Sequence, residues 1–180
     1  MQDNPQTGFD EGVQAYERGD FAQAVEIIRP IAEQGDARAQ YNLGFMYENG
    51  QGVPQDDGEA CSWYRKAAEQ GLSSAQCNLG GMYDNGQGVT QDYAEAVQWY
   101  RKAAEQGNAQ AQSNLGRMYA NGQGVPQDND EAVRWYRKAT DQDNASAQCN
   151  LGVMYDEGCG VSQDYAEAMS WFRMAAEQGN

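Results

Sequence analysis

The stretch Gln40-Tyr41-Asn42-Leu43-Gly44-Phe45-Met46-Tyr47 returns as Gln76-Cys77-Asn78-Leu79-Gly80-Gly81-Met82-Tyr83, and again from Gln112 to Tyr119 and from Gln148 to Tyr155, always after 36 residues. A second run keeps the same step: Ala60-x-x-Trp63-Tyr64-Arg65-Lys66-Ala67 recurs as Ala96 to Ala103 and Ala132 to Ala139, and with changes as Ala168 to Ala175. Self-similarity at such a period marks an array of stacked units rather than a single wound core. Read this way, residues 1–180 form one repeat domain with full units at 40–75, 76–111, 112–147 and 148–180. A shorter unit at 8–39 leads them. There Tyr16-Glu17-Arg18-Gly19-Asp20 runs straight into the next helix without the Gln51-Gly52-Val53-Pro54-Gln55 insert, so this unit reads as a tetratricopeptide-like cap.

Each unit punctuates itself as two helices. The second starts at Asp56, Asp92, Asp128 or Asp164, with Glu59, Glu95, Glu131 or Glu167 three positions on, an arrangement that satisfies the orphan amides of a helix start. Gly50, Gly86, Gly122 and Gly158 end the first helix, and Gly71 and Gly107 the second, by taking the left-handed conformation; Asp143 holds that position in the third unit and predicts a strained turn. At 100° per residue, Leu43, Met46 and Tyr47 share one arc, with Gly44 beside them where a neighbour can approach closely. On the second helix Ala60, Trp63, Tyr64, Ala67 and Ala68 form the buried arc, while Ser62, Arg65, Lys66 and Glu69 face out, Arg65 and Glu69 at ion-pair spacing. One helix pair cannot bury a Trp and two Tyr. Stacked pairs can, at roughly 1.5 to 3 kcal/mol per large side chain, and the core then runs along the array.

On these runs the unit resembles the Sel-one-like repeat, a longer relative of the tetratricopeptide repeat: Leu43-Gly44-x-Met46-Tyr47, the loop Gly50-x-Gly52-Val53, and Ala60-x-x-Trp63-Tyr64-x-x-Ala67-Ala68, covering the chain from Phe9 onward. The resemblance implies an all-α fold, a right-handed α/α superhelical solenoid of five helix-turn-helix repeats, whose first helices line the concave face. It also implies adaptor or scaffold activity without an enzyme's chemistry. Cysteine-rich secreted bacterial members of the family carry a β-lactamase label, so a cell-wall or β-lactam-directed hydrolase is the alternative, and a structural assembly role is a third reading.

The residues speak against the hydrolase. The chain has no His, the commonest general base and metal ligand, and no Ser is followed three residues later by Lys, the nucleophile motif of β-lactamases. Gly50-Gln51-Gly52 lacks the Lys-Ser/Thr ending of a phosphate loop. The repeated Asp/Glu pairs read as caps. No catalytic residue, cofactor or metal is therefore expected. The four cysteines do not space as a framework: Cys61 sits in a column of Val25, Val97, Val133 and Met169, and Cys77 and Cys149 lie two repeats apart, on the order of 20 Å against a limit of roughly 7 Å. Four free thiols are expected. With 12 basic and 27 acidic side chains the net charge is −15, which repels nucleic acid and anionic membrane surfaces.

The positions expected to face a partner lie on the first helices. Columns 41, 45, 48 and 49 project away from the core and vary: Tyr41, Phe45, Glu48, Asn49; Cys77, Gly81, Asp84, Asn85; Ser113, Arg117, Ala120, Asn121; Cys149, Val153, Asp156, Glu157. Beside them runs an unvarying column, Asn42, Asn78, Asn114 and Asn150. Variation over a fixed scaffold suits a groove that selects a protein or peptide, with Tyr41, Phe45 and Val153 as apolar contacts, Arg117 as the basic one, and the Asn amides, with Asn49, Asn85 and Asn121, gripping backbone. Drift of exposed positions, and Asn side chains that satisfy carbonyls of their own or the next repeat, are the competing readings. An acidic chain favours a partner with basic residues.

No run approaches the roughly 20 apolar residues of a membrane span, so a soluble chain without membrane insertion is expected. The start, Met1-Gln2-Asp3-Asn4-Pro5, lacks the regions of a signal peptide, and would read the same had Met1 replaced a cleaved leader, which leaves cytoplasmic and secreted or periplasmic locations open. The sequence stops directly after a second helix with no polar capping helix, so either the parent chain continues or the last repeat self-associates. A far-ultraviolet circular dichroism spectrum with strong helical minima and no strand component is the expected outcome for this architecture.

Overall fold

The computed structural model describes residues 5–178; the polar start Met1 to Asn4, and Gly179 and Asn180 at the end, lie outside the described residues. The helices group into two compact units, 1–91 and 92–180. The first holds α1 (Pro5–Glu17), α2 (Phe21–Glu33), α3 (Ala37–Asn49), α4 (Asp57–Glu69) and α5 (Ser73–Asn85). The second holds α6 (Tyr93–Glu105), α7 (Ala109–Asn121), α8 (Asn129–Thr140), α9 (Ala145–Glu157) and α10 (Tyr165–Glu177). Among the described residues there is no strand. In each unit every helix packs on the next in chain order, so a second helix such as α4 or α8 lies between two first helices. Both units are thus stacks of helix-turn-helix repeats, the all-α solenoid class that the 36-residue period predicts.

The punctuation works as read. Asp56, Asp92, Asp128 and Asp164 are N-caps whose carboxylates accept from the amide of the Glu three residues on. Each such cap is worth about 1 kcal/mol. The reciprocal half of the capping box has another solution, because the N–H groups of Asp56, Asp128 and Asp164 donate to the carbonyls of Tyr47, Tyr119 and Tyr155 at 2.9 to 3.0 Å. Gly50, Gly86, Gly122 and Gly158 close the first helices in the left-handed region, with φ of 64 to 70°. Asp143 is there too at φ 56°, the one non-glycine so placed among the described residues.

Repeats join through three contacts that recur. Gly52 also has a positive φ, and a methyl group built on it would overlap the Phe21 carbonyl at the start of α2; Gly88 meets Asp57 in the same way, Gly124 meets Tyr93, and Gly160 meets Asn129. The loops after α3, α5, α7 and α9 are therefore seated, backbone on backbone, on the first turn of the preceding second helix. Gln40, Gln76 and Gln112, buried at 4 to 5% exposure, donate to the Ala32, Ala68 and Ala104 carbonyls in the last turn of that same helix. Gln70, Gln142 and Gln178, just past the ends of α4, α8 and α10, in turn donate to the side-chain oxygens of Gln40, Gln112 and Gln148 at 2.7 to 2.9 Å. Helix-end carbonyls that packing removes from water thus keep a partner.

The core arcs hold, with three corrections. Leu43, Leu79, Leu115 and Leu151 are fully buried, as is Tyr64, whose ring lies across Gly44 where a side chain would collide with it. Tyr47, expected in the core, is only half-buried, as are Tyr83, Tyr119 and Tyr155. The last three meet arginines of the preceding second helix through their hydroxyls: Arg65 donates to Tyr83 and Arg101 to Tyr119 at 2.6 Å, and Arg137 to Tyr155 at 3.1 Å. That is the second correction, since Arg65 turns to Tyr83 rather than outward beside Glu69. Lys66, Lys102 and Lys138 likewise fold over Trp63, Trp99 and Trp135, 3.6 to 4.2 Å from the ring centroids. The third lies in the last repeat. Trp171 and Phe172 are half-buried where Trp135 and Tyr136 are buried, and Tyr165, Met169 and Met174 are exposed, because among the described residues α10 is packed on one side only, by α9.

Two exceptions to the local pattern give a stability test. Leu72 is the N-cap of α5 without a side-chain hydrogen bond, where Asn108 and Asn144 cap α7 and α9. Leu72→Asn and Asp143→Gly are each expected to raise stability by about 0.5 to 1 kcal/mol, read as a higher urea midpoint at unchanged slope.

Candidate functional site

A cleft of about 350 Å³ opens in the first unit between α1 and α3, lined by Val13, Tyr16 and Glu17 from α1 and by Tyr41, Asn42, Phe45 and Met46 from α3. Helical spacing explains both walls, since residues three and four apart share a face. Tyr16 is held in place from three sides. Its hydroxyl donates to Gln51 Oε1 at 2.8 Å, its ring is tilted against Phe21 with centroids 5.2 Å apart, and the Phe45 ring stands edge-on at 6.4 Å. On the other wall Tyr41 tilts against Tyr64 at 5.6 Å. The Tyr64 hydroxyl donates to Glu48 Oε2 at 2.6 Å, and burial, with that carboxylate, pushes its pKa far up. Burial also raises Tyr41, opposed by a hydrogen bond from the Asn78 side chain. Both phenols are therefore neutral hydrogen-bonding groups at neutral pH.

Three of the residues singled out from the sequence, Tyr41, Asn42 and Phe45, meet in this cleft. The others lie elsewhere on the first helices. Asn49 donates to the Phe45 carbonyl of its own helix at 2.8 Å, Asn78 reaches Tyr41, and Asn85 is exposed at the end of α5. In the second unit Asn114 accepts from Gln110 at 3.1 Å, Arg117 donates to Gln123 at 2.9 Å, and Asn121 contacts the same Gln123 oxygen at 3.4 Å. Asn150 is half-buried and Val153 is exposed on α9. The outward columns need correcting: Cys77, Asp84 and Ser113 are buried, at 8, 7 and 2% exposure. Column 41 is open to solvent in α3 and α9 only, and column 48 is closed at Asp84 alone. Val13, Tyr16 and Glu17 were missed because their repeat was read only as a cap, although Phe9, Gly12, Val13 and Tyr16 carry the same three-and-four spacing.

The cleft offers aromatic and aliphatic surface, one amide and one carboxylate. No cluster of three or more His, Cys, Asp or Glu side chains fit for a metal ion, and no helix long and apolar enough to cross a membrane, occurs among the described residues.

A stack of 36-residue helix pairs with an open first-helix face defines a repeat module of the α-solenoid class. Residues 37–72, 73–108, 109–144 and 145–180 each match the Sel1 repeat model, and the chain belongs to the Sel1 repeat family. It is similar to c5321, a protective antigen of uropathogenic Escherichia coli strains displaying an SLR fold, with 43% identity and a TM-score of 0.92 over 98% of this chain and 39% of that one. A Sel1 repeat protein from Oxalobacter formigenes is 37% identical, with a TM-score of 0.89 over 96% of this chain and 68% of that one. An exopolysaccharide production negative regulator of Rhizobium leguminosarum bv. viciae is 43% identical over 56 residues, 31% of this chain. This chain spans about a fifth of that regulator's length (21%) and less of the other curated relatives it matches. The Sel1 repeat is a protein-interaction module, typically non-catalytic.

All four thiols are free, Cys61 and Cys77 buried and Cys149 exposed. Burial pushes the Cys77 pKa up to about 11 and raises Cys61 as well. A disulfide reagent at pH 8 is expected to label Cys149 at least about tenfold faster than Cys77, because the thiolate is the reactive form, and to count four thiols once denaturant is added. Equal rates would show that the α5 face is open.

Proposed function

We propose that this chain is a non-enzymatic adaptor that holds a peptide or protein segment along its first helices, with the cleft between α1 and α3 as its anchor. The observation that carries the reading is that cleft: a preformed concave site in which two partly open aromatic side chains, Tyr41 and Phe45, stand beside the Asn42 amide. Aromatic residues in desolvated pockets dominate interface energetics. In the second unit Asn114, Arg117, Asn121, Asn150 and Val153 form a further contact surface, and Asn49, Asn78 and Asn85 serve the first. The net charge of −15 favours a partner with basic residues and an association rate that falls with added salt. The regulatory role named for the Rhizobium relative is consistent with such an adaptor. A second reading, self-association through the last repeat, is supported by the exposed Tyr165, Met169 and Met174 on α10; an apparent mass rising with concentration in light scattering, and falling back in Met169→Lys, tests it.

The docking reading is tested with a peptide selected on the intact chain from a random displayed library. Tyr41→Ala and Phe45→Ala are each expected to weaken its binding about tenfold or more, and Arg117→Ala to change it if the second surface is used, while Glu69→Ala on the outer helix α4 leaves it unchanged. Circular dichroism confirms that each variant stays folded. Groove variants that bind like the parent chain, with weakened binding in Glu69→Ala, would move the docking surface to the second helices.

A further inference from the structure

We infer that the cleft between α1 and α3 recognises an arginine side chain of the docked segment, an inference that rests on the docking reading above. The chemistry of the lining selects it. Tyr16, Tyr41 and Phe45 supply ring surface, Val13 and Met46 supply aliphatic surface, Glu17 is the one carboxylate and Asn42 the one amide, and none of the seven lining residues is basic. An arginine matches each part. Its methylene stem packs on the aliphatic side chains, its planar guanidinium stacks on a ring face, and its fork of N–H donors reaches both a carboxylate and an amide oxygen. A lysine ammonium is a compact, strongly hydrated charge that gains less from a ring and an amide.

The first unit already uses this pairing within its own packing. Arg29 lies over the Tyr47 ring at 5.6 Å, Arg38 over Phe9 at 4.6 Å, and Arg65 over Tyr83 at 5.5 Å, each ring belonging to a first helix. The cleft presents the same kind of ring with a carboxylate and without a guanidinium among its lining residues. The Tyr16 hydroxyl is tied to Gln51 and its ring lies near-perpendicular to Phe45, so the ring is set before a ligand arrives. Glu17 is exposed, so its share is modest and the rings carry most of the recognition.

The test uses the intact chain, isotope-labelled, and the peptide acetyl-Gly-Arg-Gly-amide, with versions carrying lysine, citrulline or norleucine at the centre. Chemical-shift titration is expected to move amides of α1 and α3 and to rank arginine tightest, with citrulline and norleucine at least about fivefold weaker. Glu17→Gln should weaken the arginine peptide about threefold and Tyr16→Leu at least tenfold, while Tyr16→Phe, which keeps the ring, retains binding. Norleucine or lysine binding as tightly as arginine, or an arginine peptide that leaves α1 and α3 unmoved, overturns the assignment. The docking reading is judged separately. A library-selected peptide that still loses affinity on Phe45→Ala sustains it even where arginine selectivity fails.

Discussion

A carbonyl group pressed against a glycine α-carbon sets the geometry of every repeat junction in each unit. At Gly52, Gly88, Gly124 and Gly160 the chain turns through a positive φ while its backbone rests on the opening turn of the preceding second helix, so closely that no β-carbon fits. This fixes how far the following helix pair can lie from the pair before it. The buried glutamines work within that spacing, since Gln40 can reach the Ala32 carbonyl only when the two helix ends are brought together. The Tyr64 ring on Gly44 depends in the same way on close approach within a pair. Backbone contact comes first, and side-chain complementarity fills what it leaves.

The electrostatics follow from the same stacking. A surface arginine at position 65, 101 or 137 becomes a link between repeats once a tyrosine of the next first helix comes within reach, and a lysine at 66, 102 or 138 becomes a lid on its own tryptophan. Basic side chains are few in this acidic chain, and Arg65, Arg101 and Arg137 with Lys66, Lys102 and Lys138 are engaged in this way by rings and hydroxyls of the array itself. The α1/α3 cleft keeps aromatic rings and a carboxylate without such a cover.

Period, helix starts and helix ends were legible because each rests on chemistry local to a few residues: an aspartate that can accept from the amide three positions on, a glycine that can turn left-handed, an apolar spacing of three and four. The fold class followed from them. What was not legible depends on the neighbouring repeat. Arg65 looks solvated on a single helical wheel, and only the position of Tyr83 turns it inward. Cys77 and Ser113 occupy the column of Tyr41, yet the stack buries them and leaves Tyr41 partly open. The candidate site was half read for the same reason. Its α3 wall carries Tyr41, Asn42 and Phe45 in a stretch that the repeat itself brings to notice, whereas its α1 wall lies in a unit whose departure from the repeat drew the eye away from Val13, Tyr16 and Glu17.

The glycines at the junctions also say something about inheritance. Any single-base change in a glycine codon that alters the residue adds a side chain, and at Gly52 or its three copies every such side chain would strike a carbonyl of the neighbouring repeat. The residue just before each of them meets no such backbone clash and is held by side-chain hydrogen bonds instead, Gln51 accepting from Tyr16 and Gln123 from Arg117, and there the last copy carries Cys159. Neighbouring positions in one loop are thus held by different means. Lineages of this protein should keep these glycines strictly while the residue before them changes where its partner changes, and gain or lose sequence at these joints in whole repeats rather than in single residues.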